Sequence, residues 1–142
     1  MKVLIFLGDI IFDSNNKPIG DSIKKINDWI EGGADVGYLT KRSGFVELKA
    51  IKDACKENGL NESHIHARLG DTTFVEMVET LKPAILIETS TSSEKEKTVG
   101  ERLKSELKVK SVVLERGMGL DALPDKPEEL NIREEEVTPE VE

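Results

Sequence analysis

The chain has one cysteine, Cys55, and not one glutamine. A lone thiol excludes an internal disulfide and fits a reducing compartment, so stability must come from packing. Aromatic residues make up only 4% of the chain against 37% hydrophobic residues in all. That excludes a core built on rings and points to Ile, Leu and Val, as in doubly wound sheets. No apolar run approaches the roughly 18 residues of a membrane span. The N-terminus also lacks a basic region followed by an apolar segment and a small-residue cleavage site. A cytoplasmic protein without membrane association is expected. An excess of basic residues is missing too, and the formal net charge of −8 argues against non-specific nucleic-acid binding.

What is present fits one domain of 142 residues, long enough to bury a proper core. Charged residues reach 34%, which with the missing glutamine resembles heat-adapted compositions, although six Asn remain. The charge is uneven. Residues 125–142 hold eight acids and two bases, or −6 of the total −8, and leave −2 for residues 1–124. Residues 1–124 are therefore expected to form the domain. Residues 125–142 are expected to form an acidic extension, with one helical turn near Pro127 to Leu130 and then a mobile tail that docks on a basic partner or keeps the protein soluble.

Within the domain, strand and helix patterns alternate. Lys2 to Ser14 begins as an apolar strand and breaks on Gly8-Asp9. Ile19, Ile23, Ile26 and Ile30 recur at helical spacing beside Trp29, with Gly32-Gly33 as a stop. Asp35 to Thr40 reads as a strand, and Phe45, Leu48, Ile51 and Cys55 mark the apolar face of a helix ended by Gly59. Ser63 to Leu69 reads as a short strand. Asp71 is the expected N-cap of a helix carrying Phe74, Met77, Val78 and Leu81. Ala84 to Glu88 reads as a buried parallel strand. Thr91-Ser92-Ser93-Glu94 matches a capping box ahead of Val99, Leu103 and Leu107, and Ser111 to Glu115 is the last strand. This order predicts a parallel sheet of about five strands with helices on both faces.

Polar residues collect at predicted strand ends: Asp9 after the first strand, Thr40 at the second, and Glu88 with Thr89 and Ser90 after the fourth. In a doubly wound sheet such positions converge on one crevice and suit a metal or phosphate site; equally, they cap the next helix. Lys41-Arg42-Ser43-Gly44 suits an anion or a solvated basic turn. His64 and His66 share one face if their segment is a strand, which is compatible with metal or with two solvent-facing imidazoles. Cys55, on an apolar helical face, reads as a buried inert thiol. A receiver domain needs an Asp at a second strand end, where this chain has Thr40 or Glu88. The spacing of Gly8 and Gly20 does not meet the G-x-G-x-x-G of a dinucleotide site.

Three stretches carry a family resemblance. Phe6 to Ile19 is similar to the first motif of the haloacid dehalogenase superfamily, DxD-G-[TV]-L followed by a DSxxKPI-like segment. Aligned through Asp13-Ser14-Asn15-Asn16-Lys17-Pro18-Ile19, the two motif aspartates fall on Phe6 and Gly8. Val36 to Arg42 resembles the second motif, a strand ending in the Thr or Ser that holds phosphate. Lys82 to Glu88 resembles the strand bearing the fourth. The resemblance covers roughly residues 2–124 and implies a Rossmann-like three-layer α/β domain without a substantial cap domain, and for most members a Mg²⁺-dependent phosphohydrolase.

Here the catalytic identities depart from the pattern. Neither Phe6 nor Gly8 can attack phosphorus or transfer a proton. Glu88 keeps one carboxylate for Mg²⁺ but is followed by Thr89, and the family's lysine has no evident counterpart among Lys82, Glu76 and Glu79. The expectation is a pseudoenzyme: a binding or interaction module, with a phosphorylated small molecule or a protein as partner, that keeps an anion site at Gly8, Thr40, Lys41 and Arg42 beside Asp9. The alternative is a Mg²⁺-dependent phosphatase in which Asp9, displaced by one residue, is catalytic and shares the metal with Glu88.

Overall fold

Strand β1 (Lys2–Phe6) is paired on both edges and buried on both faces, which an unbroken run of Val, Leu, Ile and Phe demands. The computed structural model describes residues 1–42, 44–67, 71–89, 99, 109–114, 119–121, 123, 124, 126 and 129. In chain order, β1 is followed by α1 (Ser22–Glu31), β2 (Asp35–Thr40), α2 (Phe45–Glu57), a 3₁₀ turn (Glu62–His64) and β3 (Ile65–Ala67). Then come α3 (Phe74–Leu81), β4 (Ile85–Thr89) and β5 (Lys110–Leu114). All strand pairs are parallel, in the order β3-β2-β1-β4-β5. This is the expected Rossmann-like α/β sheet, with its order reversing between β1 and β4. Among the described residues no helix is long and apolar enough to cross a membrane.

Alternation along the strands places helices on both faces. Phe6 points to α3, where its ring meets Phe74 edge-on at 5.0 Å. Tyr38 lies on the other face, which is covered by α2 and its Cys55. The segment after β1 is not a solvent loop. Ile10, Ile11 and Phe12 are fully buried, and the Leu7 carbonyl accepts from the N–H groups of both Ile11 and Phe12. Ile19 N–H then donates to Ile11 O, so residues 7–19 fold back over the end of β1.

Two helical faces differ from the expected ones. In α1 the buried set is Ser22, Lys25, Ile26 and Trp29, while Ile30 is 46% exposed and Ile19 precedes the helix. At about 100° per residue this turns the face by roughly 80° from the isoleucine stripe. Partners at Leu120, Leu123 and Pro124 explain the rotation. Lys25 Nζ donates to Leu123 O, Trp29 Nε1 donates to Pro124 O, and Ser22 Oγ accepts from Leu120 N–H while donating to Ile10 O. In α2 the buried residues are Ile51, Ala54 and Cys55, and Phe45 is 82% exposed. Phe45 lies about 180° around the helix from Ala54, so it cannot share that face.

Cap and strand boundaries are adjusted as well. The N-cap of α3 is Thr73, not Asp71, because Thr73 completes a reciprocal capping box with Glu76. Gly59 ends α2 as expected, at φ +78°. Residues 62–64 form a 3₁₀ turn, which shortens the expected strand to Ile65–Ala67, and Leu69 lies outside the described residues. Val99 is helical, but Thr91 to Glu94, Leu103 and Leu107 lie outside the described residues. The same holds for Glu115 and, apart from Lys126 and Glu129, for the 125–142 extension.

Ser22 joins three segments through one hydroxyl in a fully buried position. Ser22→Ala should lower the unfolding free energy by about 1–3 kcal/mol, since it leaves the Leu120 N–H without its partner. In urea titrations the midpoint is expected to fall with the slope unchanged.

Candidate functional site

The C-terminal ends of β1, β2 and β4 open onto a crevice of about 370 Å³. It lies where sheet order reverses, the position at which open α/β sheets bind ligands. Its floor is Phe6, Gly8 and Asp9 from β1 and its exit, with Thr40, Lys41 and Arg42 from the end of β2 and Thr89 from β4. Asp13 and Ser14 contribute from the fold-back segment, and Glu47 and Ile51 from α2.

The β1 exit is shaped by an unusual backbone. Asp9 has φ +65°, in the left-handed region that Asp tolerates better than most L-residues. Its N–H donates to Phe12 O, and Phe12 N–H donates to Leu7 O, so the local bridge runs through the neighbours of Gly8 and leaves Gly8's own amide out of it. A Cβ at Gly8 would meet nothing within 4 Å, so a ligand can approach the backbone there. The Asp13 carboxylate turns back on its own loop, with Oδ1 accepting from Asn15 and Lys17 N–H.

At β2, Thr40 is buried and its Oγ1 accepts from Arg42 N–H at 3.1 Å. That bond turns the chain at the strand end and directs Lys41 and Arg42 to the crevice. The Lys41 ammonium sits 5.6 Å from the centroid of the Phe6 ring, a cation–π contact. Helix α2 begins just beyond, at Gly44, whose φ of +86° only glycine adopts readily and which supplies no side-chain cap. The open amide groups and positive dipole end of α2 thus border the crevice beside Arg42.

The crevice therefore gathers Gly8, Asp9, Thr40, Lys41 and Arg42 and leaves Glu88 out of its lining. Glu88 points to the α3 face, where Oε1 accepts from Val99 N–H at 2.8 Å and Oε2 from Ser111 Oγ at 2.9 Å. Asp9 lines this crevice and Glu88 does not, and among the described residues no group of three or more His, Cys, Asp or Glu could hold a metal ion. Ser90 and Ser43 lie outside the described residues.

Asp13 and Glu47 were not among the residues singled out by sequence. The signal for Glu47 is its place in the first turn of the helix that follows a crevice-forming strand end, and for Asp13 its position before Asn15-Asn16.

The other candidates lie elsewhere. Cys55 is fully buried, and burial, with a smaller contribution from Glu62, pushes its thiol up to about 12, so it stays protonated and inert. His64 and His66 do not form a strand pair, because His64 belongs to the 3₁₀ turn. The His64 ring is used structurally: Nδ1 lies 3.2 Å from Val36 O and Nε2 3.4 Å from Asn61 Nδ2. Burial, then Lys2 and His64, lowers the pKa of His66 below its ordinary value.

Two outcomes follow. Since glycine suits φ +65° and alanine does not, Asp9→Gly should be more stable than Asp9→Ala by about 1 kcal/mol in denaturant titrations. Folded His66 also binds its proton less tightly than the unfolded chain, for which 6.5 is the ordinary value. Its contribution to stability is constant above that value and becomes a penalty as the pH falls through 6.5 towards the folded pKa. His66→Gln should flatten the loss of unfolding free energy over that window.

No family model, no curated protein and no solved structure matches this chain.

Proposed function

We propose that the chain is a haloacid dehalogenase-like domain working as a non-catalytic binding module, and that the crevice takes a phosphorylated small molecule. The observation that carries this reading is the gathering of Thr40, Lys41 and Arg42 at one strand end, opposite the open backbone at Gly8. Lys41 and Arg42 supply charge-assisted donors for phosphate oxygens. Thr40 accepts from Arg42 N–H and retains its hydroxyl hydrogen for a ligand. The first turn of α2 adds a favourable dipole.

The family resemblance is supported by the sheet order and by Asp9. In the alignment Asp9 occupies the motif's glycine position, and its φ of +65° is one that glycine would take freely. The non-catalytic reading is supported by Phe6. Its ring stands at the aligned nucleophile position, 5% exposed, edge-on to Phe74 and beneath the Lys41 ammonium. A phenyl ring offers no lone pair to phosphorus.

Inorganic phosphate and phosphorylated metabolites should raise Tm saturably. At a hundredfold excess over Kd the protection is about 2.7 kcal/mol, or several degrees for a chain of this size. Arg42→Ala should remove the effect. Mg²⁺-dependent hydrolysis of p-nitrophenyl phosphate that is lost in Asp9→Asn would overturn the binding-module reading in favour of the phosphatase. If no phosphorylated ligand shifts the melt, a protein-interaction role remains.

A further inference from the structure

A second cavity, of about 510 Å³, lies at the sheet edge and shares no lining residue with the crevice. Its floor is β3, the edge strand, with Leu48 and Lys52 of α2 on one side and Met77 and Leu81 of α3 on the other. The spacings i, i+4 in both helices put each pair on one stripe, so two helices overhang one short strand and leave a trough between them. Its volume falls in the range of small-molecule sites, and its walls are chiefly apolar.

Beside the hydroxyls of Thr72 and Thr80, the ionisable groups in this trough are all basic, Lys52 and His66. Lys52 forms no ion pair with any described residue, and its helical neighbours at i ± 3 and i ± 4 are Leu48, Lys49, Cys55 and Lys56, none of them an acid. The nearby Lys49 is already paired with Asp53 at 2.8 Å. His66 lines the same trough, and its ring makes no hydrogen bond to a described residue. No carboxylate of the described residues lines the cavity. An apolar trough with an unpaired ammonium and an imidazole at its wall complements a molecule with an apolar body and one negative head.

We propose that this trough binds a small apolar monocarboxylate, whose carboxylate pairs with Lys52 and whose hydrocarbon body lies along Leu48, Ile65, Met77 and Leu81. The unbranched, polarisable Met77 side chain adapts the trough to chain length and shape. The site is independent of the phosphate reading of the crevice, and either can fail alone.

Octanoate and octan-1-ol, titrated into the full chain and followed by ¹H–¹⁵N amide spectra, form the test. Octanoate should perturb amides of α2, β3 and α3 around the trough and bind about two- to fivefold tighter than octan-1-ol, the gain expected of one partly exposed ion pair. Lys52→Met should reduce octanoate to the affinity of the alcohol. Thr80→Trp, at an exposed position on α3 that lines the trough, should abolish binding of both while the chain stays folded. Arg42→Ala should change neither. Equal binding of acid and alcohol, an octanoate preference that survives Lys52→Met, or shifts confined to the crevice would overturn the proposal. So would a dimer that Thr80→Trp dissociates, since a second copy would then fill the trough.

Discussion

The position of the crevice is fixed by the burial of β1. Val3, Leu4, Ile5, Phe6 and Leu7 are each at most 5% exposed, and the strand is paired to β2 on one edge and to β4 on the other. A strand closed on both edges and both faces has only its ends open to a ligand. The backbone leaving its C-terminal end must satisfy its polar groups within the protein. Residues 7–19 do this by folding back, with the Leu7 carbonyl serving two amides and Asp9 taking a left-handed turn. The crevice is the space this fold-back leaves between β1, β2 and α2.

Two kinds of chemistry are separated by the sheet. At the C-terminal strand ends, Lys41 and Arg42 stand with Asp9, Asp13 and Glu47 around a polar crevice, and Phe6 closes its floor. At the β3 edge, the trough is apolar and carries Lys52 and His66 as its charged or titratable groups among the described residues. Glu88 belongs to neither cavity. Buried at 4% exposure, it spends both oxygens on Val99 N–H and Ser111 Oγ, tying β5 and the chain at Val99 to the end of β4. A buried carboxylate with two donors is well placed as a structural tie.

Much of the fold was legible because it rests on local periodicity. The strand Asp35–Thr40 is where its pattern and its flanking Gly32-Gly33 put it, and β4 differs from its expected bounds by one residue at each end. The site was legible to the extent that strand ends converge in this class of sheet, which brought Gly8, Asp9, Thr40, Lys41 and Arg42 to one place. Glu88 shows where that reasoning fails. Being at a strand end does not say which face a side chain leaves from, and Glu88 leaves on the α3 face.

The sequence alone determined the alternation of apolar strands and amphipathic helices, hence a parallel sheet, because these follow from the period of hydrophobic residues along the chain. Only the tertiary structure decided how the helices are turned. Ile30 is exposed while Ser22 and Lys25 are buried, because Leu120, Leu123 and Pro124, remote in sequence, bring the carbonyl and amide partners that stabilise a polar face of α1 inside. Tertiary structure likewise created the trough, whose walls come from α2, β3 and α3 and leave no sequence signature of their own. Cavities are set by how elements fail to fill the space between them, and no local pattern encodes that remainder.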